Sequence, residues 1–158
     1  MQQLIDLYKQ WSGNEPASVD KMQGAGSNRQ YFRLTATDGS SVVGVIGTSR
    51  EEDHAFINIA KQFAEQKLPV PQVLAVSDDE MRYLQTDLGS TSLFDAIRGG
   101  REAGGRYNLA EQELLKKTIR ALPGIQIRGA RGMDWSVCYP QPEFNEESVL
   151  FDLNYFKY

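Results

Sequence analysis

The sequence predicts an α+β domain: a mainly antiparallel sheet of about five strands, one helix packed across a face, and helical segments after it. Three observations carry that prediction. Between Ser18 and Thr48 the short runs SVDKMQ, RQYFRLTAT and SVVGVIGT alternate with glycine-bearing turns. From Glu51 the apolar period changes, and Ala55, Phe56, Ile59, Ala60, Phe63 and Ala64 form one broad helical stripe. Past LPVP, the runs VLAVS and MRYLQTDL flank DDE as a second hairpin.

The remaining elements follow in order. Leu4, Ile5, Tyr8 and Trp11 recur at helical spacing, which gives a short amphipathic N-terminal helix ended by SGNEP. Asp38-Gly39 is a hairpin turn between the second and third strands. The helix from Glu51 to Gln66 stops near Lys67, because Pro69 and Pro71 exclude further helix. Gly89 closes the second hairpin, and Thr91 or Ser92 caps a short helix, SLFDAIR. Gly99 to Tyr107, rich in glycine and charge, is expected to be a mobile loop. Asn108 with Glu111 makes a capping-box start to a helix through Leu122, stopped by Pro123, and Arg128 to Phe144 is expected to be irregular. Leu150, Phe151, Leu153, Tyr155, Phe156 and Tyr158 then crowd the final residues with apolar surface that needs a partner, and the expectation is a chain cut short of that partner.

Composition removes several classes of function. The chain has 158 residues, 17 basic and 21 acidic side chains and a net charge of −4, a poor balance for binding nucleic acid. No apolar run is long enough to span a membrane, and MQQLIDLYKQW has no basic and apolar leader pattern. A lone Cys138 and a lone His54 argue against an internal disulfide and against His/Cys metal chemistry, so the expected setting is the cytoplasm.

The sharpest local signal is Gly24-Ala25-Gly26-Ser27-Asn28-Arg29. A glycine turn brings backbone N–H groups close to phosphate oxygens, although a plain hairpin turn has the same composition. The residues after it decide which phosphate motif is possible. RQYFRLTAT is strand-like, which disfavours a dinucleotide fingerprint, and no G-K-S/T follows, which excludes a Walker A loop. A glycine loop between antiparallel strands, then a third strand and a helix, is the layout that covers ATP in kinases. Glu51 and Glu52 stand where such a helix needs a carboxylate, though acidic residues also favour any helix N-terminus.

Together, GAGSNRQYFRL, the EEDHAF helix start, LPVPQVLAVS and YLQTDLGSTSLFDAI resemble the N-terminal lobe of the aminoglycoside phosphotransferase and choline-kinase-like superfamily. The nearest branch is the bacterial one with anomeric amino-sugar kinases of cell-wall recycling. The resemblance is closest from about Leu4 to Ser92, and FDLNYFKY resembles the segment leading into the C-lobe. It implies a kinase-like nucleotide-binding lobe at 1–90 and the start of an incomplete C-lobe at 91–158. It also implies ATP and Mg as cofactors and a small-molecule hydroxyl, of a sugar or amino sugar, as acceptor. Gly24, Gly26, Ser27 and Asn28 would line the phosphate loop, Glu52 would be the helix carboxylate, and Leu84, Gln85 and Asp87 would belong to the adenine hinge. The aromatic C-terminal segment would pack on the chain's own C-lobe.

Two departures from the family pattern stand out. The strand-three Lys is missing, with Gly44 and Val45 in its place, and Arg29 or Arg33 is left to supply the charge, Arg29 being nearer the loop and counted with the nucleotide-binding residues. The catalytic loop H-x-D-x-x-x-x-N and its later Mg-binding Asp do not occur, so no catalytic or metal residue is assigned and this chain alone is expected to be inactive. A second reading is a non-catalytic nucleotide-binding or interaction module, with the aromatic terminus as its partner surface. A protein-kinase lobe is disfavoured by the absence of V-A-I-K, and a plain α+β domain without a nucleotide site is the remaining alternative.

Overall fold

The computed structural model describes residues 1–23 and 28–155. Helix α1 (Gln2–Ser12) precedes strands β1 (Ser18–Lys21), β2 (Gln30–Thr35) and β3 (Ser41–Ile46); helix α2 (Arg50–Glu65) leads to β4 (Val73–Val76) and β5 (Arg82–Thr86). The strands form one sheet in the order β1-β2-β3-β5-β4, and every neighbouring pair is antiparallel. This is the α+β architecture read from the sequence, and it is consistent with a kinase-like N-lobe.

Alternation along the strands divides the core into two clusters, one on each face of the sheet. On one face Phe32, Leu34, Val42 and Leu84 pack with Leu4, Leu7 and Tyr8 of α1. On the other, Val43, Val45 and Tyr83 pack with Ile57 of α2, with Tyr31 and Phe56 at the margin. A register shift between Val73 and Ala75 lets Val73 and Val76 both reach the α2 side. The turns hold as read: Gly39 adopts φ +84°, a left-handed conformation that a side chain disfavours, and α1 ends on Gly13 at φ +79°.

After the sheet come α3 (Leu93–Ala96), α4 (Arg98–Glu102), α5 (Leu109–Pro123) and α6 (Glu146–Tyr155). Three expectations for this region are corrected. Residues 98–102 are helical rather than part of a loop running from Gly99 to Tyr107. The cause is Glu111, whose carboxylate accepts from the N–H of Gly100 at 2.9 Å and from that of Asn108 at 2.9 Å. Gly100 is required there, since a Cβ would sit 2.7 Å from the Tyr107 backbone. Pro123 does not stop α5; the helix includes it and widens into a π-helical turn (Gly124–Arg128), with the N–H of Gly129 bonded to the carbonyl of Gly124. Residues 128–144 are only partly irregular, for Asp134 caps a 3₁₀ turn (Trp135–Val137). The segment docks on α2 through Gln66 Nε2 to the Arg131 carbonyl (2.6 Å) and the Asp134 N–H to Gln62 Oε1 (3.3 Å). Helix α6 has no buried residue, and Phe151 and Leu153 are exposed. Among the described residues no helix is long and apolar enough to cross a membrane.

The α1 cluster generates a stability prediction. Leu4 is fully buried, so Leu4→Ala should cost about 2–5 kcal/mol in a urea titration. The exposed Leu109→Ala should stay within about 0.5 kcal/mol. Equal midpoints for the two would remove α1 from the core.

Candidate functional site

The α2 face of the sheet is laid out in cross-strand rows. Tyr31, Val45 and Tyr83 form one row, and Arg33, Val43 and Gln85 the next. One step beyond the last β2–β3 pair, Gln30–Ile46, Arg29 comes level with Gly47. This face therefore carries a cation at each end of an apolar strip.

Arg29 is held by α2. Its Nε lies 2.9 Å from Asp53 Oδ1, its Nη2 donates to the Glu52 carbonyl at 3.1 Å, and its guanidinium sits 5.3 Å from the Phe56 ring centre. Phe56 in turn stacks on Tyr83 at 5.2 Å. Asp53 is fully buried, and the Arg29 guanidinium is the cation that faces its carboxylate. Burial pushes its carboxyl above the ordinary range, with Arg29 opposing the shift. Burial likewise pushes the Tyr83 phenol up. Gly47 makes this possible: any Cβ there would overlap the Asp53 carboxylate. Ser49 caps α2 by accepting from the Glu52 N–H, which sets the turn that points Asp53 inward.

Arg33 is engaged at the other end. Its guanidinium forks onto Asp87 at 2.5 and 3.0 Å and donates to Ser90 Oγ at 2.9 Å. Asp87 also accepts from Ser41 Oγ (2.7 Å) and from the Gly89 N–H (2.8 Å). The Arg33 guanidinium, with Ser41 and the Gly89 N–H, holds the Asp87 carboxyl well below the usual carboxylate range.

The residues singled out in the sequence fall as follows. Gly24, Gly26 and Ser27 lie outside the described residues, and Asn28 is exposed beside Arg29. Glu52 is on the solvent side of α2, its carboxylate 4.0 Å from Arg29 and its side chain 47% exposed. Leu84 is in the α1 cluster, and Gln85 faces the α2 side with a buried Oε1 that has no hydrogen-bond partner among the described residues. Strands on both sides of β5 engage the backbone of Leu84 and Gln85, and the Thr86 N–H bonds the Gln72 carbonyl, so main chain open to a ligand begins beyond Thr86. Arg29 and Glu52 are brought together; Asp87 is a strand length away, with Arg33. His54 anchors α2 to the β4–β5 turn through Glu80 at 3.0 Å.

Sequence reasoning missed Asp53. The signal was present: Asp53 precedes Phe56, Ile57 and Ala60 at i+3, i+4 and i+7, on the inward side of α2. A carboxylate on a buried stripe needs a cationic partner.

No protein-family model matches the chain. It is similar to an N-acetylmuramate/N-acetylglucosamine kinase of Neisseria meningitidis serogroup B, with 31% identity over 129 residues that cover 81% of this chain and 34% of the relative. The likeness supports a kinase-like relationship. The chain spans about a third of the length of the curated relative it matches.

The low Asp87 carboxyl yields a pH prediction. A group with a depressed folded value stabilises fully above the ordinary carboxylate range, about pH 4, and loses that contribution as the pH falls below it. Asp87→Asn should lower Tm at pH 7 by roughly 3 °C and flatten the acid limb of the stability curve. Melts followed by circular dichroism at pH 7 and pH 3 test this; parallel pH dependence in the two proteins would sink it.

Proposed function

We propose that the chain is the ATP-binding lobe of a kinase that transfers the γ-phosphoryl group of ATP to a hydroxyl of a sugar or amino sugar. The observation that carries the reading is the identity with a kinase of N-acetylmuramate and N-acetylglucosamine, spread over 81% of this chain. The element order supports it: antiparallel strands, then α2, then a strand whose exit leaves the sheet beside an apolar strip bounded by Arg29 and Arg33.

In this reading residues 1–90 bind the nucleotide and 91–158 lead toward a second lobe. Gly24, Gly26, Ser27 and Asn28 approach the phosphates with backbone N–H groups. Glu52 lies at the same end of the site. Adenine meets the end of β5, where Leu84 supports the strand from the far face and Gln85 and Asp87 flank the exit. Phosphoryl transfer depends on positioning and charge neutralisation more than on covalent chemistry by the protein. Magnesium supplies part of that neutralisation. Among the described residues no three His, Cys, Asp or Glu side chains stand close enough to hold a metal ion, and in this reading the magnesium ligands belong to the second lobe. The groups that activate the acceptor hydroxyl belong, in this reading, to the second lobe as well. The chain by itself binds ATP without transferring phosphate, in the cytoplasm where ATP is available.

A thermal shift tests the reading. At ATP concentrations about 100 times Kd, binding stabilises the folded state by about 2.7 kcal/mol, a Tm rise of several degrees. ATP and ADP should both produce it. A Tm indifferent to millimolar nucleotide, with or without magnesium, would refute the reading.

A further inference from the structure

A kinase-like lobe grips the nucleotide's phosphates with a lysine on the third strand, paired to a carboxylate on the following helix. In this chain both available β3 positions are sealed. Gly44 faces α1, where a Cβ would meet Leu34 Cδ1 at 2.6 Å and Leu4 Cδ2 at 2.9 Å. Val45 faces α2 but is fully buried between Tyr31 and Tyr83. A charge on the α2 face must come from an adjacent strand. Two residues before Tyr31, on the same side of β2, stands Arg29, with the fully buried Asp53 as its partner.

We propose that Arg29, oriented by Asp53, is the cation that takes the polyphosphate of the nucleotide, so that the cation–carboxylate pair is supplied from the start of β2 and not from β3. The proposal rests on the nucleotide-binding reading above. Several observations converge on it. The guanidinium is fixed by a carboxylate, a carbonyl and an aromatic face, so little rotamer freedom is left to lose on binding. Its planar set of donors matches phosphate oxygens, and it stays charged despite burial. Arg29 follows GAGSN directly in sequence, the segment assigned to the phosphates. Arg33, the other candidate, stands four residues further along the chain, paired with Asp87 and Ser90 at the opposite end of the strip. A buried ion pair adds little net stability, because desolvation offsets the attraction; what Asp53 provides is direction. Asp53 is fully buried against Arg29 and acts through it, which makes it a positioning residue.

The test measures binding of inorganic tripolyphosphate, ATP and adenosine to the full chain and to Arg29→Ala, Arg29→Lys and Asp53→Asn, with the fold of each checked by circular dichroism. Arg29→Ala should weaken tripolyphosphate and ATP about 10- to 100-fold and leave adenosine unchanged. Asp53→Asn should shift the ATP-to-adenosine ratio the same way, and Arg29→Lys should fall between. Unchanged ATP and tripolyphosphate binding in folded Arg29→Ala overturns the proposal. So does a parallel loss of ATP and adenosine, which marks a purely structural pair, or a larger phosphate-specific loss in Glu52→Gln than in Asp53→Asn. If Arg29→Ala does not fold, an unaltered ratio in both Arg29→Lys and Asp53→Asn overturns it equally. ATP bound normally but independently of Arg29 leaves the nucleotide reading standing alone. Arg29-dependent tripolyphosphate binding, with ATP no tighter and adenosine unbound, supports the arginine and removes the nucleoside. Binding of neither anion by the parent chain overturns both.

Discussion

Strand β3 is closed on both faces, and the distribution of charge around the sheet follows from that. Four successive residues, Val42, Val43, Gly44 and Val45, are buried, alternately under α1 and under α2. A strand buried on both sides reads as a continuous apolar run and offers no seat for a long polar side chain. Charge is therefore displaced to the neighbours, to the ends of β2 and the exit of β5. Arg29, just before β2, and Arg33, within β2 beside the β5 exit, carry it, each with an acid drawn from a different element.

The two ion pairs solve different problems. Asp87 lies where donors from β2, β3 and the following turn converge, so its charge is met by hydrogen bonds on several sides. Asp53 is enclosed with a single cation and two aromatic rings nearby, and its carboxyl rises in consequence. The first is a satisfied structural node; the second is a costly arrangement whose return is a guanidinium held in one attitude. Gly47 belongs to the second, because its missing side chain is the volume that the Asp53 carboxylate fills.

Much of the sheet was legible because its signals are local. Alternation gave β2 and β3, Asp38-Gly39 gave their turn, and the Asn108–Glu111 spacing gave the capping box that the structure contains. What escaped depends on contacts distant in sequence. Helix α4 has poor local propensity, with Gly99 and Gly100, and forms because Glu111 reaches back across 11 residues. Pro123 reads as a stop, yet the backbone absorbs it by widening. In the site, Glu52 drew attention as one of two adjacent glutamates, whereas the fully buried carboxylate is one residue further on. Only the register of the apolar stripe, which puts Asp53 in line with Phe56, Ile57 and Ala60, separates the two. Arg29 stood out over Arg33 only by its nearness to the glycine segment, and the partners that set the two apart lie 24 and 54 residues away.

The hold on the β5 exit has a mechanical side. Asp87 and Ser90 are tied to β2 and β3, with Gly89 bonded to Asp87, and the segment from Gly100 to α5 is clamped by Glu111. Between these anchored stretches lies α3, a single turn without one buried residue. That turn is tied to the helices after it, the Arg101 guanidinium lying 3.3 Å from the Phe94 ring centre, so any load on the sheet exit passes to α4 and α5 through one cation and one ring.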